Sequence, residues 1–221
     1  NTYTGATTIN AGTLRVAGGA AIANTSAVTL ANVAGATLDL NGTNETIGSL
    51  AGGGAAGGNV TLGAGTLTTG IATNTTYTGV ISGSGGLTKQ GTGIFTLSGN
   101  NTYTGATTIN AGTLTLGAAN RIADVSAVTV VGGATFNLNN FVETIGSLAG
   151  AGNVTLGTAA LTTGDATNTT YSGIMSGTGG LTKQGTGTFT LFGNNTYSGV
   201  TNVSAGTLVA AVNNALGTAA G

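Results

Sequence analysis

The sequence predicts an all-β chain, a right-handed parallel β-helix (a β-solenoid) forming a single elongated repeat domain, and three observations predict it. A unit of nearly one hundred residues recurs, and it holds several strand signals, more than a hairpin can contain. Two insertions distinguish one copy from the next without disturbing the strand patterns downstream, as suits a stack in which each coil touches only its neighbours. The chain also lacks the charged and proline residues with which a sandwich guards its edge strands.

The elements run in order along the chain. NTYTGATTINAGTL fills residues 1–14 and returns unchanged at 101–114. Its Ile9, Leu14, Ile109 and Leu114 are read as core residues, and Gly5, Gly12, Gly105 and Gly112 as turns. SAVTL (26–30), GATLDL (35–40), NVTLGAGTLTT (59–69), GGLTKQGTGIFTLSG (85–99) and GTLTLG (112–117) alternate apolar with small or hydroxylated residues. Alternation at period two sends one set of side chains inward and the other outward. The inward pairs are Val28/Leu30, Leu38/Leu40, Val60/Leu62, Phe95/Leu97 and Leu114/Leu116, matched later by Val128/Val130, Phe136/Leu138, Val154/Leu156 and Phe189/Leu191. Thr is the main outward partner, as expected of a β-branched polar residue on a pleated surface. The Ala-rich end, LVAAVNNALGTAAG (208–221), is the one stretch left unassigned.

Gly12, Gly112 and Gly206 occupy matching places, 100 and then 94 residues apart. The segment 14–50 is two residues longer than 114–148, and 51–62 is four longer than 149–156. Both insertions fall in Gly/Ala-rich turns, where length change is tolerated. One continuous solenoid segment of a larger protein therefore spans 1–221, with repeat units of approximately 1–100, 101–194 and a partial 195–221.

Composition narrows the function. Charged residues make up 4% of the chain, where roughly 25% is usual, and the net charge is −1. With 40% hydrophobic residues the chain does not fit the pattern of disorder. Arg15, Lys89, Arg121 and Lys183 are too few and too scattered to track phosphates, so nucleic acid is excluded as a partner. No apolar run approaches the ~18 residues of a bilayer span, so this segment is not expected to insert into a membrane. The chain begins with Asn, without a basic or apolar leader, so any signal peptide lies outside it.

GGLTKQGTGTFTLFGNNTYSGVTNVSAGTL (179–208) and its twin GGLTKQGTGIFTLSGNNTYTGATTINAGTL (85–114) resemble the autotransporter-associated β-strand repeat, also called the passenger-associated transport repeat. The matching features are the GGLTKQGTG opening, the aromatic-Thr-Leu strand, the Asn-Asn-Thr-Tyr turn and the Ala-Gly-Thr-Leu close. Residues 1–14 carry the tail of a third copy. The resemblance implies a segment of a very large Gram-negative surface protein, exported, threaded through an outer-membrane barrel and folded outside as a β-helix. It implies an extracellular or outer-membrane location and brings no catalytic residues.

Candidate sites are few. Lys89 and Lys183 recur in LTKQGTG, and Glu45 and Glu143 in ETIGSL. Recurrence marks them as structural, read as solvated turn residues or weak surface pairs, with a ligand contact as the functional alternative. A glycoside hydrolase needs two carboxylates about 5–10 Å apart. The nearest clusters, Arg121 with Asp124 and Asp39 with Glu45, offer no converging set, and the chain has no His or Cys. GGGAAGGN (52–59) has the glycines of a calcium-binding nonapeptide without its Asp, and reads as a flexible loop. A Thr-x-Thr row of the ice-binding kind starts at 66–68 and 113–115 but breaks at Ala160-Leu161-Thr162. Tyr3, Tyr103, Tyr197, Tyr77 and Tyr171 recur in NTY and NTTY turns, where capping the core is favoured over stacking on carbohydrate. No catalytic, cofactor-binding or metal-binding residue is assigned, and no cofactor.

The expected role is a structural, non-enzymatic one: a rigid stalk for adhesion whose partners are neighbouring repeats of the same chain. The alternative is self-association into extracellular fibres, since residue 1 starts mid-motif and residue 221 ends in a partial one, leaving strand edges that template stacking. Contact with host or surface glycans is expected through other regions, and a glycan-binding or ice-binding face is the least favoured reading.

Overall fold

The computed structural model describes residues 3–218. Asn1, Thr2 and residues 219–221 lie outside it, and with them the expectation about open chain ends. The described residues form 26 short strands and no helix, and every pairing between strands is parallel. Successive partners lie 18 to 25 residues apart, and 20 or 21 apart in the series Leu67, Leu87, Thr107, Val128 and Leu148. That spacing is one coil of a solenoid.

The coil has three faces. One carries nine strands from Thr7–Ile9 to Met175–Gly177, and another nine from Glu45–Ile47 to Thr207–Ala210. The third carries two four-stranded sheets, Thr13–Arg15 to Ile81–Ser82 and Glu143–Ile145 to Thr201–Val203. Between those two sheets the face runs on without strand geometry: Thr102 and Thr104 donate to the carbonyls of Ile81 and Gly83, and Asn120 donates to Val142. With about ten coils at ~4.8 Å each the stack is about 50 Å long.

Alternation placed the core correctly. All nine inward pairs read from the sequence are buried. Leu14 is the exception among the expected core residues: it is only half-buried, because it belongs to the first coil and has a neighbour on one side alone. The unassigned end divides in two, since Thr207–Ala210 is a strand paired with Thr188–Leu191 and residues 211–218 carry turns. Outward threonines stack from coil to coil, most continuously as Thr46, Thr68, Thr88, Thr108 and Thr129. Such ladders let β-branched side chains pack along the face without charge.

The repeat and the coil are out of step. Eleven strands and two strandless sides, those of Ile22 and Tyr103, lie between the strand Thr7–Ile9 and its copy Thr107–Ile109, which is therefore the fourteenth side on. Fourteen sides are four and two-thirds coils. The three copies of this strand, Thr7–Ile9, Thr107–Ile109 and Thr201–Val203, therefore lie on three different faces. Each copy presents its features one-third of a turn from the last.

Candidate functional site

The recurring charged residues are not on the surface. Lys89, Lys183, Glu45 and Glu143 are each 1% exposed, which overturns their reading as solvated turn residues or surface pairs. Each lysine occupies the last inward position of its strand, Leu87–Lys89 or Leu181–Lys183. In the following Gln-Gly-Thr-Gly turn Gly93 O still accepts from Thr113 N–H of the next coil at 3.3 Å, while the carbonyls of Gln90 and Gly91 turn inward. The Lys89 ammonium collects them, donating to Gln90 O and Gly91 O at 2.7 Å and to Ala111 O at 3.1 Å. Lys183 repeats the arrangement with Gln184 O, Gly185 O and Ala205 O at 2.5, 2.9 and 3.2 Å. A buried charge is tolerated only when such bonds replace its water. Burial still pushes Lys89 down to about 8 and also lowers Lys183.

The glutamates do the converse. The loops 17–25 and 117–125 lack strand geometry, and their N–H groups at 21–22 and 121–122 meet a carboxylate in place of a ladder carbonyl. Glu45 accepts from Ala21 N–H at 3.2 Å and Ile22 N–H at 3.0 Å. Glu143 accepts from Arg121 N–H at 2.9 Å and Ile122 N–H at 2.8 Å. Burial pushes the Glu143 carboxyl up to about 7, opposed by these two backbone donors. The folded chain thus binds more protons than the unfolded chain between pH ~4.5 and ~7, and this contribution to stability is lost as pH rises through about 7. Urea titrations across that window are expected to show a decline of up to ~3 kcal/mol that the Glu143→Gln variant lacks.

Two further sets of buried polar residues join the coils, and their Asn, Thr and Ser members were missed by sequence reasoning. Asn101 accepts from Ile81 N–H at 2.8 Å and donates to Arg121 O at 2.9 Å, so one side chain joins three coils. Asn195 does the same between Met175 N–H and Ala215 O. The repeated Asn-Asn pair was the available signal. A second chain runs from the Tyr103 hydroxyl to Thr107 Oγ1, on to Ser126 Oγ and to Gly105 O. Tyr77 and Tyr171 donate instead to Gly58 O and Gly152 O, at 2.6 and 2.7 Å. Tyr77, Tyr103, Tyr171 and Tyr197 are fully buried and cannot stack on a carbohydrate.

The other candidates do not converge. Asp39 pairs with Arg15 at 2.7 Å on the outside, while Glu45 points into the core. Arg121 reaches Asn100, and Asp124 is exposed beside it. Among the described residues no group of three acidic or His/Cys side chains could hold a metal. The glycine-rich stretch expected to be a flexible loop is a tight hairpin: Gly54 and Gly57 bridge each other and Ala56 N–H donates to Asn32 Oδ1 at 2.9 Å. What recurs in each copy is thus a set of buried polar clamps, each closing a corner that the ladder leaves open.

The fold and these clamps define the class: a parallel β-solenoid built from a repeated unit. The family model of the passenger-associated transport repeat matches residues 1–16, 87–116 and 181–210. The second match runs from the strand Leu87–Lys89 through Thr113–Leu116, which makes it a coil and two-thirds that pairs with itself and encloses Lys89, Asn101 and Tyr103. The chain is also similar to the adhesin BmaC autotransporter of Brucella suis biovar 1 (strain 1330), 48% identical over 95 residues. That match covers 42% of this chain and 3% of the Brucella protein. No solved structure matches the chain.

Proposed function

We propose that this segment is a rigid, non-enzymatic spacer in the passenger of a Gram-negative cell-surface autotransporter, serving an adhesive protein by holding another part of it away from the membrane. The observation that carries the reading is the use of the charged clamps. Lys89, Lys183, Glu45 and Glu143 bond to the backbone of their own and neighbouring coils and face no cleft. Uninterrupted parallel ladders on two faces add stiffness, and the scarcity of surface ion pairs among the described residues makes the rod insensitive to salt. The similarity to a protein named as an adhesin autotransporter supports the setting.

Removal of residues 101–194 tests it. The cut joins Asn100 to Asn195, so the Asn-Asn-Thr-Tyr motif is restored at the junction. A spacer is expected to fold around the new joint and shorten by about 22 Å, four and two-thirds coils at ~4.8 Å. In a displayed passenger the tip should come closer to the cell by that amount, with secretion kept. Loss of adhesion in a passenger whose tip is still displayed and still clears the surface would place the adhesive contact on the segment itself and refute the spacer role.

A further inference from the structure

The two copies differ at one corner. In the first, the hairpin Gly54–Gly57 stands over a cleft of about 400 Å³ that climbs past Asn59, Ser98 and Asn100 to Arg121. A cleft of this size falls at the low end of small-molecule sites, roughly 300–1,000 Å³. In the second copy the hairpin is missing, Phe192 stands at the place of Ser98, and Ala215 at that of Arg121.

The polar atoms of the cleft are unevenly satisfied. The Asn59 carbonyl oxygen accepts from Val80 N–H at 3.0 Å, and that of Asn100 accepts from the Arg121 guanidinium. Both side-chain acceptors are occupied, while the two amide NH2 groups have no protein partner. The guanidinium uses one N–H on Asn100, and its Nε has no partner. The Ser98 hydroxyl is also open. Donors in excess, one of them cationic, select a ligand rich in acceptors and negatively charged.

We propose that this cleft binds an acidic saccharide, with Arg121 meeting a sugar carboxylate and Asn59, Ser98 and Asn100 meeting ring and hydroxyl oxygens. A peptide is disfavoured by the same geometry. Extended peptides add to an open strand edge, and here Gly54 and Gly57 are paired with each other while the strands alongside pair with coils above and below. The site goes beyond the spacer role and stands independently of it.

The test is an NMR titration of the whole chain with digalacturonic acid, neutral digalactose and a Glu-Glu dipeptide, on wild type, Arg121→Ala and Ser98→Phe. The two substitutions install the residues of the second copy, so both variants are expected to keep the wild-type thermal melt. Digalacturonate should shift the amides of Ser98, Asn100 and Arg121, with roughly ten-fold weaker binding of digalactose and of Arg121→Ala, and blockage in Ser98→Phe. Absence of shifts at about 10 mM digalacturonate, equal binding by Arg121→Ala, or equal affinity for the dipeptide would overturn the assignment.

Discussion

Gly173→Ala is expected to break the stack, costing more than about 4 kcal/mol. A Cβ at this position would lie 1.7 Å from Gly152 O and 2.7 Å from the Tyr171 hydroxyl. The contact is with backbone of the coil next to it, and that carbonyl already accepts the tyrosine. Neither can give way without opening the ladder. The same column continues at Gly193, whose Cβ would meet Gly173 O at 1.8 Å. Because each coil contacts only its neighbours, the damage should be local at first: hydrogen exchange should accelerate in the coils on either side before the ends respond. Gly132→Ala is the control. Its new Cβ would find nothing nearer than Ala151 Cβ at 3.8 Å, so the urea midpoint should stay within about 0.5 kcal/mol of wild type.

Lys89→Met should be nearly as damaging. Methionine fills much the same volume but leaves the carbonyls of Gln90, Gly91 and Ala111 without the donor that satisfied them. Removing one partner from a buried charged cluster costs about 3–5 kcal/mol. The loss should carry a pH signature. Burial holds the ammonium at about 8 against an ordinary 10.5. Between those values the folded chain binds fewer protons than the unfolded one, so stability rises with pH across the window and is lost as pH falls through about 8. Denaturation from pH 7 to 10 should show that rise in wild type and a smaller one in Lys89→Met, where Lys183 alone remains. An unchanged slope would mean that the ammonium is not confined as described.

Much of the fold was legible because it rests on local alternation. Phe95 and Leu97, or Phe136 and Leu138, announce their orientation within three letters, and their copies confirm it. The polar clamps were legible only as recurrence. A lysine followed by Gln-Gly-Thr-Gly reads as a solvated turn, since charge ordinarily belongs in water. Its partners are backbone carbonyls, and one of them, Ala111 O, lies 22 residues further on, where no side-chain identity records it. Asn101 escaped for the same reason: both of its partners are main-chain atoms 20 residues away, one on each side. The one-third turn between copies was hidden too. Strandless sides such as that of Tyr103 count as full sides of the coil but carry no strand pattern. The cleft at Arg121 depends on a hairpin that the sequence shows only as a run of Gly and Ala.

The stacking of coils is tested most directly by one distance. Thr46 and Thr190 lie on the same face and point outward, joined through the parallel series of Thr68, Thr88, Thr108, Thr129, Ala149 and Thr170. Seven coil spacings separate them, about 34 Å at ~4.8 Å per coil. Spin labels at these two positions should give a single narrow dipolar distance near that value. A distance below about 20 Å, as when the two strands face each other across a sandwich some 10 Å thick, would contradict the solenoid and the spacer role built on it.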